Sequence, residues 1–128
     1  MAKSQFDTIN NRIKARQSRI ARRSILAISE DIEMRTPVDT AMAKHSWFFT
    51  EGSPSNEKPE TIDRANSEQY KIKINAIVPG EIGYFVNNQP YILKLEYEHS
   101  KKSPGMVRFS ILDWQNIVDA AVKLENKK

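Results

Sequence analysis

The chain has 128 residues, 39% of them hydrophobic, with 20 basic and 16 acidic side chains and a net charge of +4. That length favours one domain spanning residues 1–128 around a modest core. The lack of cysteine excludes disulfides, thiolate metal sites and a cysteine nucleophile. No stretch approaches the roughly 20 apolar residues of a membrane span, and so small a basic excess points only weakly to an anionic partner.

The opening MAKSQFDTIN carries no apolar h-region, so no secretory signal is expected. From Ser4 to Arg35 the spacing predicts one long helix: Phe6, Ile9, Ile13, Ile20, Ala21, Ala27, Ile28 and Ile32 gather on one broad arc, with no glycine or proline between them. Arg12, Arg16, Arg19 and Arg23 form a narrow basic stripe beside that arc. Near the C-terminal end, Glu30, Asp31 and Glu33 oppose the helix dipole, so they are expected to meet other groups, such as a neighbouring subunit's arginines.

Pro37 pushes Thr36 toward extended backbone and stops this helix. Asp39 or Thr40 is then placed to cap a short turn through Ala41-Met42-Ala43-Lys44. Ser46-Trp47-Phe48-Phe49-Thr50 reads as a first strand anchored by Trp47. Residues 51–68 hold two prolines, a glycine and mostly polar side chains, which predicts a mobile loop.

Tyr70-Lys71-Ile72-Lys73-Ile74-Asn75 alternates apolar and polar, the pattern of a half-buried strand. Ala76-Ile77-Val78 extends it to a tight Pro79-Gly80 turn, and Glu81 to Val86 returns as the next strand. Asn87-Asn88-Gln89-Pro90 breaks the sheet, and Tyr91 to Tyr97 reads as a short helix with Pro90 near its start. After a loop over 100–105, Met106, Phe109, Ile111, Leu112, Ile117, Val118, Ala121, Val122 and Leu124 predict one closing helix. The expected fold is α+β: a long N-terminal helix, a three-stranded antiparallel meander sheet, a short helix and a C-terminal helix.

Catalytic patterns are sparse. His45 and His99 are the only histidines and have no metal-ligand spacing, so neither a metal nor a cofactor is expected. A hydrolase would pair Ser46 or Ser100 with a histidine, but His45 and Ser46 are neighbours on extended chain and point apart. No nucleophile elbow, phosphate loop or dinucleotide fingerprint occurs. The basic stripe could lie on phosphates or be a solvated or acid-paired helix face. Trp47, Phe48 and Phe49 could stack on bases, but aromatic residues in a small domain more often build its core and contacts.

Two segments carry a resemblance. TPVDTAMAKHSWFF resembles the TPVDTG…SW segment of a family of tailed-phage head-to-tail connection proteins, the tail-completion, neck or tail-component proteins. NNQPYILKLEYEHSKKSPGMVR is similar to that family's NN-x-PY-x-x-x-LEYG-x-S-x-x-x-P-x-GMVR segment, and a C-terminal helix follows in both. Ala41 and Glu98 stand where the family commonly has glycine, so right-handed helical backbone is expected after Thr40, and a glycine-type helix terminator is missing after Tyr97.

The resemblance implies a non-enzymatic virion protein of the neck or tail, assembled in the host cytoplasm. It would form a ring of identical subunits that docks on the tail tube or tail terminator and on the head connector. Thr36, Pro37, Asp39, Thr40 and Trp47 would set one structural corner, and Asn87, Asn88, Pro90, Tyr91, Glu96 and Tyr97 a second. Arg12, Arg16, Arg19 and Arg23 would face a neighbouring subunit or, non-specifically, passing DNA. The alternative is a small basic DNA-binding or packaging accessory protein that uses the same stripe.

Overall fold

The computed structural model describes residues 5–37, 41–78, 80–97 and 105–127. Its spine is α1 (Gln5–Arg35), the helix predicted from the apolar arc. Thr36 ends it, its N–H still reaching the Ile32 and Glu33 carbonyls at 3.1 Å. A short α2 (Ala41–Lys44) follows with Ala41 as its first helical residue, and then comes β1 (Trp47–Glu51). Asp39 and Thr40, the expected caps of α2, lie outside the described residues.

The largest correction concerns residues 70–75. They belong to a helix, α3 (Asn66–Asn75), and not to a strand. Ile72 is 67% exposed while Ile74 is fully buried, so the apolar alternation does not mark one face of a sheet. The buried residues are Asn66, Tyr70, Ile74 and Ile77, spaced by four, four and three, which is one side of a helix and its exit. Asp63 starts α3: its carboxylate accepts the Ala65 N–H at 3.0 Å and its carbonyl the Asn66 N–H at 3.2 Å.

With that strand gone, the sheet has two strands in place of the expected three-stranded meander: β1 and β2 (Gly83–Asn87), paired antiparallel. Trp47 stands opposite Asn87, Phe49 opposite Phe85 and Glu51 opposite Gly83. The turn around Gly80 therefore leads from α3 into β2 and does not close a hairpin. The loop expected over 51–68 also ends sooner, since Asn66 to Glu68 are helical. Its earlier part is tied down: the Asn88 amide donates to the Ser55 and Glu57 carbonyls at 2.7 and 3.1 Å, and the Gln89 amide to the Pro59 carbonyl at 2.9 Å.

The short helix appears as α4 (Ile92–Tyr97). The single closing helix is in fact two, α5 (Met106–Leu112) and α6 (Trp114–Asn126), broken at Asp113. Aspartate is a weak helix former because its side chain competes for nearby donors, and here the Asp113 carboxylate accepts the Asn116 amide at 2.8 Å. Apolar periodicity carries across such a break unchanged, so the pattern could not reveal it.

α3, α5 and α6 all pack on α1, and α3 also packs on β1. Two apolar clusters result. One joins Phe49, Tyr70, Ile74 and Ile77, with Ile25 and Leu26 of α1 against them. The other joins Ile32, Trp47 and Met106, with Ile92 and Leu95 of α4. Phe85 touches both: it stacks on Trp47 (centroids 4.9 Å, planes 6° apart) and meets Tyr70 edge-on at 5.1 Å. Such ring pairs add about 0.5–1.5 kcal/mol each beyond area burial, which makes this one β2 side chain the link between the halves of the core.

Candidate functional site

The first corner is built on a buried threonine. Thr36 is 1% exposed; its hydroxyl donates to the Ile32 carbonyl at 2.8 Å and accepts the Trp47 indole N–H at 3.0 Å. A side chain just past the end of α1 thus fixes the first residue of β1, and Pro37 prevents the helix from continuing between them. The surrounding polar groups are matched as well. The Ser46 hydroxyl donates to the Met42 carbonyl at 2.5 Å and accepts the Gln89 amide at 3.0 Å. The Asn66 amide takes the His45 and Trp47 carbonyls at 3.1 and 2.6 Å, and the Asn87 amide takes the Ala43 carbonyl at 2.7 Å.

Ser46, Asn66 and Gln89 were not among the residues predicted to matter, although each joins two segments here. Polar residues between apolar runs look like ordinary loop or surface positions, and only their burial shows otherwise.

The second corner turns on Glu96, a buried carboxylate. Its oxygens accept the Val107 N–H at 2.7 Å, the Arg108 N–H at 3.3 Å and the Arg108 Nε–H at 3.0 Å. Arg108 also donates from Nη2 to the Glu96 carbonyl at 2.6 Å and lies over the Tyr97 ring, 4.2 Å from its centroid. Glu96 therefore caps the first turn of α5 from another helix, where negative charge suits the dipole.

Gly105 makes this approach possible. It has φ 102° and ψ 167°, a region open essentially to glycine alone, and a Cβ there would collide with both the carboxylate and the carbonyl of Glu96. The LEY and GMVR phrases, read from the sequence as parts of one segment, are thus two halves of a single contact. Gly105 and Arg108 are partners that the sequence reading did not select. Of the other predicted members, Asn87 also accepts the Gln89 N–H at 3.1 Å, while Pro90 and Tyr91 lie in the turn that leads into α4.

The basic stripe meets the end of α6. Arg16 donates to the Asn126 side chain, Arg19 pairs with Glu125, and the Arg23 Nε lies 3.6 Å from the same carboxylate. Arg12, one turn earlier, is exposed. Much of the stripe is therefore an intramolecular seam that holds α6 to α1.

Two of the three acids at the other end of α1, Asp31 and Glu33, likewise find partners within the chain. Asp31 accepts from Arg35 at 2.9 Å and from the Ser110 hydroxyl at 2.7 Å. Burial acts to raise its pKa, but Ser110 and Arg35 outweigh it and hold the carboxyl below its ordinary value. Arg35 also covers the Phe109 ring at 3.7 Å. Glu33 accepts the Ser67 hydroxyl at 2.5 Å. Tyr70 sits against Glu33; burial first, and then that carboxylate, push its phenol above the ordinary tyrosine range. The Tyr70 hydroxyl and Glu33 Oε2 are both buried without a well-formed hydrogen bond.

Among the described residues, no three His, Cys, Asp or Glu side chains gather into a metal-binding group. His45 Nε2 lies 3.4 Å from Arg64, and the buried Ser46 hydroxyl is engaged on both sides as described. His99 and Ser100 lie outside the described residues. No described helix is long and apolar enough to cross a membrane. A groove of about 650 Å³ runs along α1 beside Ile77 and Val78. No family model, curated protein or solved structure matches this chain.

Proposed function

We propose that this chain is a structural virion protein of a tailed phage, acting without catalysis in the neck or tail. It completes the tail or joins it to the head connector as a ring of identical subunits, in contact with the tail tube or tail terminator. The observation that carries this reading is the fate of the two phage-like phrases. Each closes into a corner through its own side chains, Trp47 on Thr36 and Glu96 on Val107 and Arg108. Residues spent on holding elements at fixed angles are what a ring subunit needs, since its interfaces repeat with every copy.

Purified particles test the reading directly. Mass spectrometry should find the protein in intact virions at a fixed ratio to the head connector, and labelling should place it at the neck. Its absence from particles would refute a structural role.

A DNA-binding accessory role is the second reading, and exposed Arg12, Lys14 and Arg16 favour it. The engagement of Arg19 and Arg23 by Glu125 weakens it, because those charges are already answered. Isolated protein that leaves duplex DNA unshifted at low salt rules this role out, since phosphate contacts are strongest there.

A further inference from the structure

The two strands of the sheet differ in what lies beyond them. The Gly52 N–H donates to the Ile82 carbonyl at 2.9 Å, and the register of β1 on β2, continued by one residue, sets these two opposite each other. Antiparallel strands alternate between pairs that exchange their main-chain hydrogen bonds and pairs that point them outward. Thr50 with Tyr84 and Phe48 with Val86 are therefore bonded inward. Trp47, Phe49 and Glu51 on β1, and Gly83, Phe85 and Asn87 on β2, turn their N–H and carbonyl groups away from the ladder. The Trp47 carbonyl agrees with this phase, since it accepts the Asn66 amide of α3.

α3 thus lies along β1 and covers that edge. No helix packs along β2 in the same way, and among the described residues no hydrogen bond reaches the main-chain N–H or carbonyl of Gly83, Phe85 or Asn87. Edge strands left in water commonly carry a lysine, a proline or a bulge that keeps other strands away. Gly83-Tyr84-Phe85-Val86-Asn87 has no charged residue, no proline and an unbroken register.

Outward main-chain groups at every second residue are answered by another extended chain. A second copy of β2 meets that need residue by residue. Run antiparallel about Phe85, it sets Phe85 opposite Phe85 and Gly83 opposite Asn87, the residues whose main-chain groups are open. On the other face, which also carries Phe48 and Thr50, the half-buried Tyr84 of each copy falls opposite the half-buried Val86 of the other. That is an aromatic and β-branched cross-strand pair, made twice. Further out Ile82 meets Asn88 and Glu81 meets Gln89, so no like charges stand opposed.

We infer that two copies of this chain pair through the open edge of β2, joining their two-stranded sheets into one continuous antiparallel sheet across a twofold axis at Phe85. The same edge serves both copies, so the contact closes on itself. It goes beyond the ring reading and does not rest on it, because a ring needs a contact that repeats head to tail.

Hydrogen exchange on the wild-type chain, followed by NMR at low and high concentration, tests the pairing at each residue. The Tyr84 and Val86 amides face β1 and should be protected at both concentrations. Those of Gly83, Phe85 and Asn87 should slow at least about tenfold on association. Sedimentation velocity adds a test by charge. Tyr84→Glu with Val86→Glu sets like charges opposite each other and should weaken self-association at least about tenfold, as should Tyr84→Lys with Val86→Lys. Mixed together, the two variants should associate again as heterodimers, since each carboxylate then faces an ammonium. Thermal melts check that both variants are folded, and the exchange experiment needs no substitution.

A wild-type chain that stays monomeric at its highest soluble concentration overturns the inference. So does association that leaves Gly83, Phe85 and Asn87 unprotected, or a mixture of folded variants that associates no better than either alone.

Discussion

At the Thr36 corner a neutral hydroxyl sits between the Ile32 carbonyl and the Trp47 indole, whereas at the Glu96 corner a carboxylate is held by two peptide N–H groups and the Arg108 guanidinium. The first is buried in the core. The second lies nearer the surface, with about 44% of the Arg108 side chain exposed. The difference teaches where each corner draws its strength. Aromatic packing around Trp47 and Phe85 surrounds the first, and the second depends on charge and on a glycine that lets two backbones approach.

Substitutions can break this comparison, and their effects should fall in order. Trp47→Ala removes the stacked ring, the Thr36 hydrogen bond and part of the Ile32–Met106 cluster together, so a loss of about 3–5 kcal/mol is expected in urea unfolding. Gly105→Ala comes next, at about 2–3 kcal/mol, because a side chain there meets both forbidden backbone and the Glu96 carboxylate.

Thr36→Val should cost about 1–2 kcal/mol by leaving the Trp47 N–H buried without its acceptor. Glu96→Gln should cost about 1 kcal/mol, since the amide oxygen still accepts one N–H while the charged pairing with Arg108 is lost. The pair sharpens the contrast when repeated in about 1 M salt. The Glu96→Gln deficit should shrink and the Thr36→Val deficit should not; equal salt sensitivity would show that charge does not distinguish the corners.

The smallest effect concerns Asp31, which ties α1 to α5 beyond both corners. Its folded-state pKa lies below its ordinary value of 3.8. Its contribution to stability is therefore present above that value and is lost as pH falls through the lower folded-state value. Asp31→Asn should flatten the acid limb of stability against pH and leave the shape near neutrality unchanged. An identical acid limb in the variant would show that the contacts with Ser110 and Arg35 add nothing.

Much of the first corner was legible in the chain. Pro37 cannot continue a helix, and Thr36 and Trp47 flank it, so the stop, the corner and the anchored strand all follow from local chemistry. At the second corner Glu96 was selected, but Gly105 and Arg108 were not, because a carboxylate capping a separate helix that begins several residues later leaves no signal at fixed spacing. The acids of α1 were expected to await a neighbour. Arg35, Ser110 and Ser67 answer two of them within the chain; Arg35 stands four residues after Asp31, a helical spacing the sequence does show, whereas Ser67 and Ser110 lie far along the chain and leave no signal at fixed spacing.

The sequence by itself determined the long α1, its stop at Thr36 and Pro37, strand β1 and the short helix after Pro90, because periodicity and proline act within a few residues. Only the tertiary structure decided that residues 66–75 are helical. Tyr70, Ile72 and Ile74 satisfy a strand pattern locally, but a half-buried strand needs all three on one covered face, and the core takes Tyr70 and Ile74 while leaving Ile72 in water. The same holds for the basic stripe: spacing places its arginines on one edge of α1, and the position of Glu125 at the far end of the chain determines which of them are already matched.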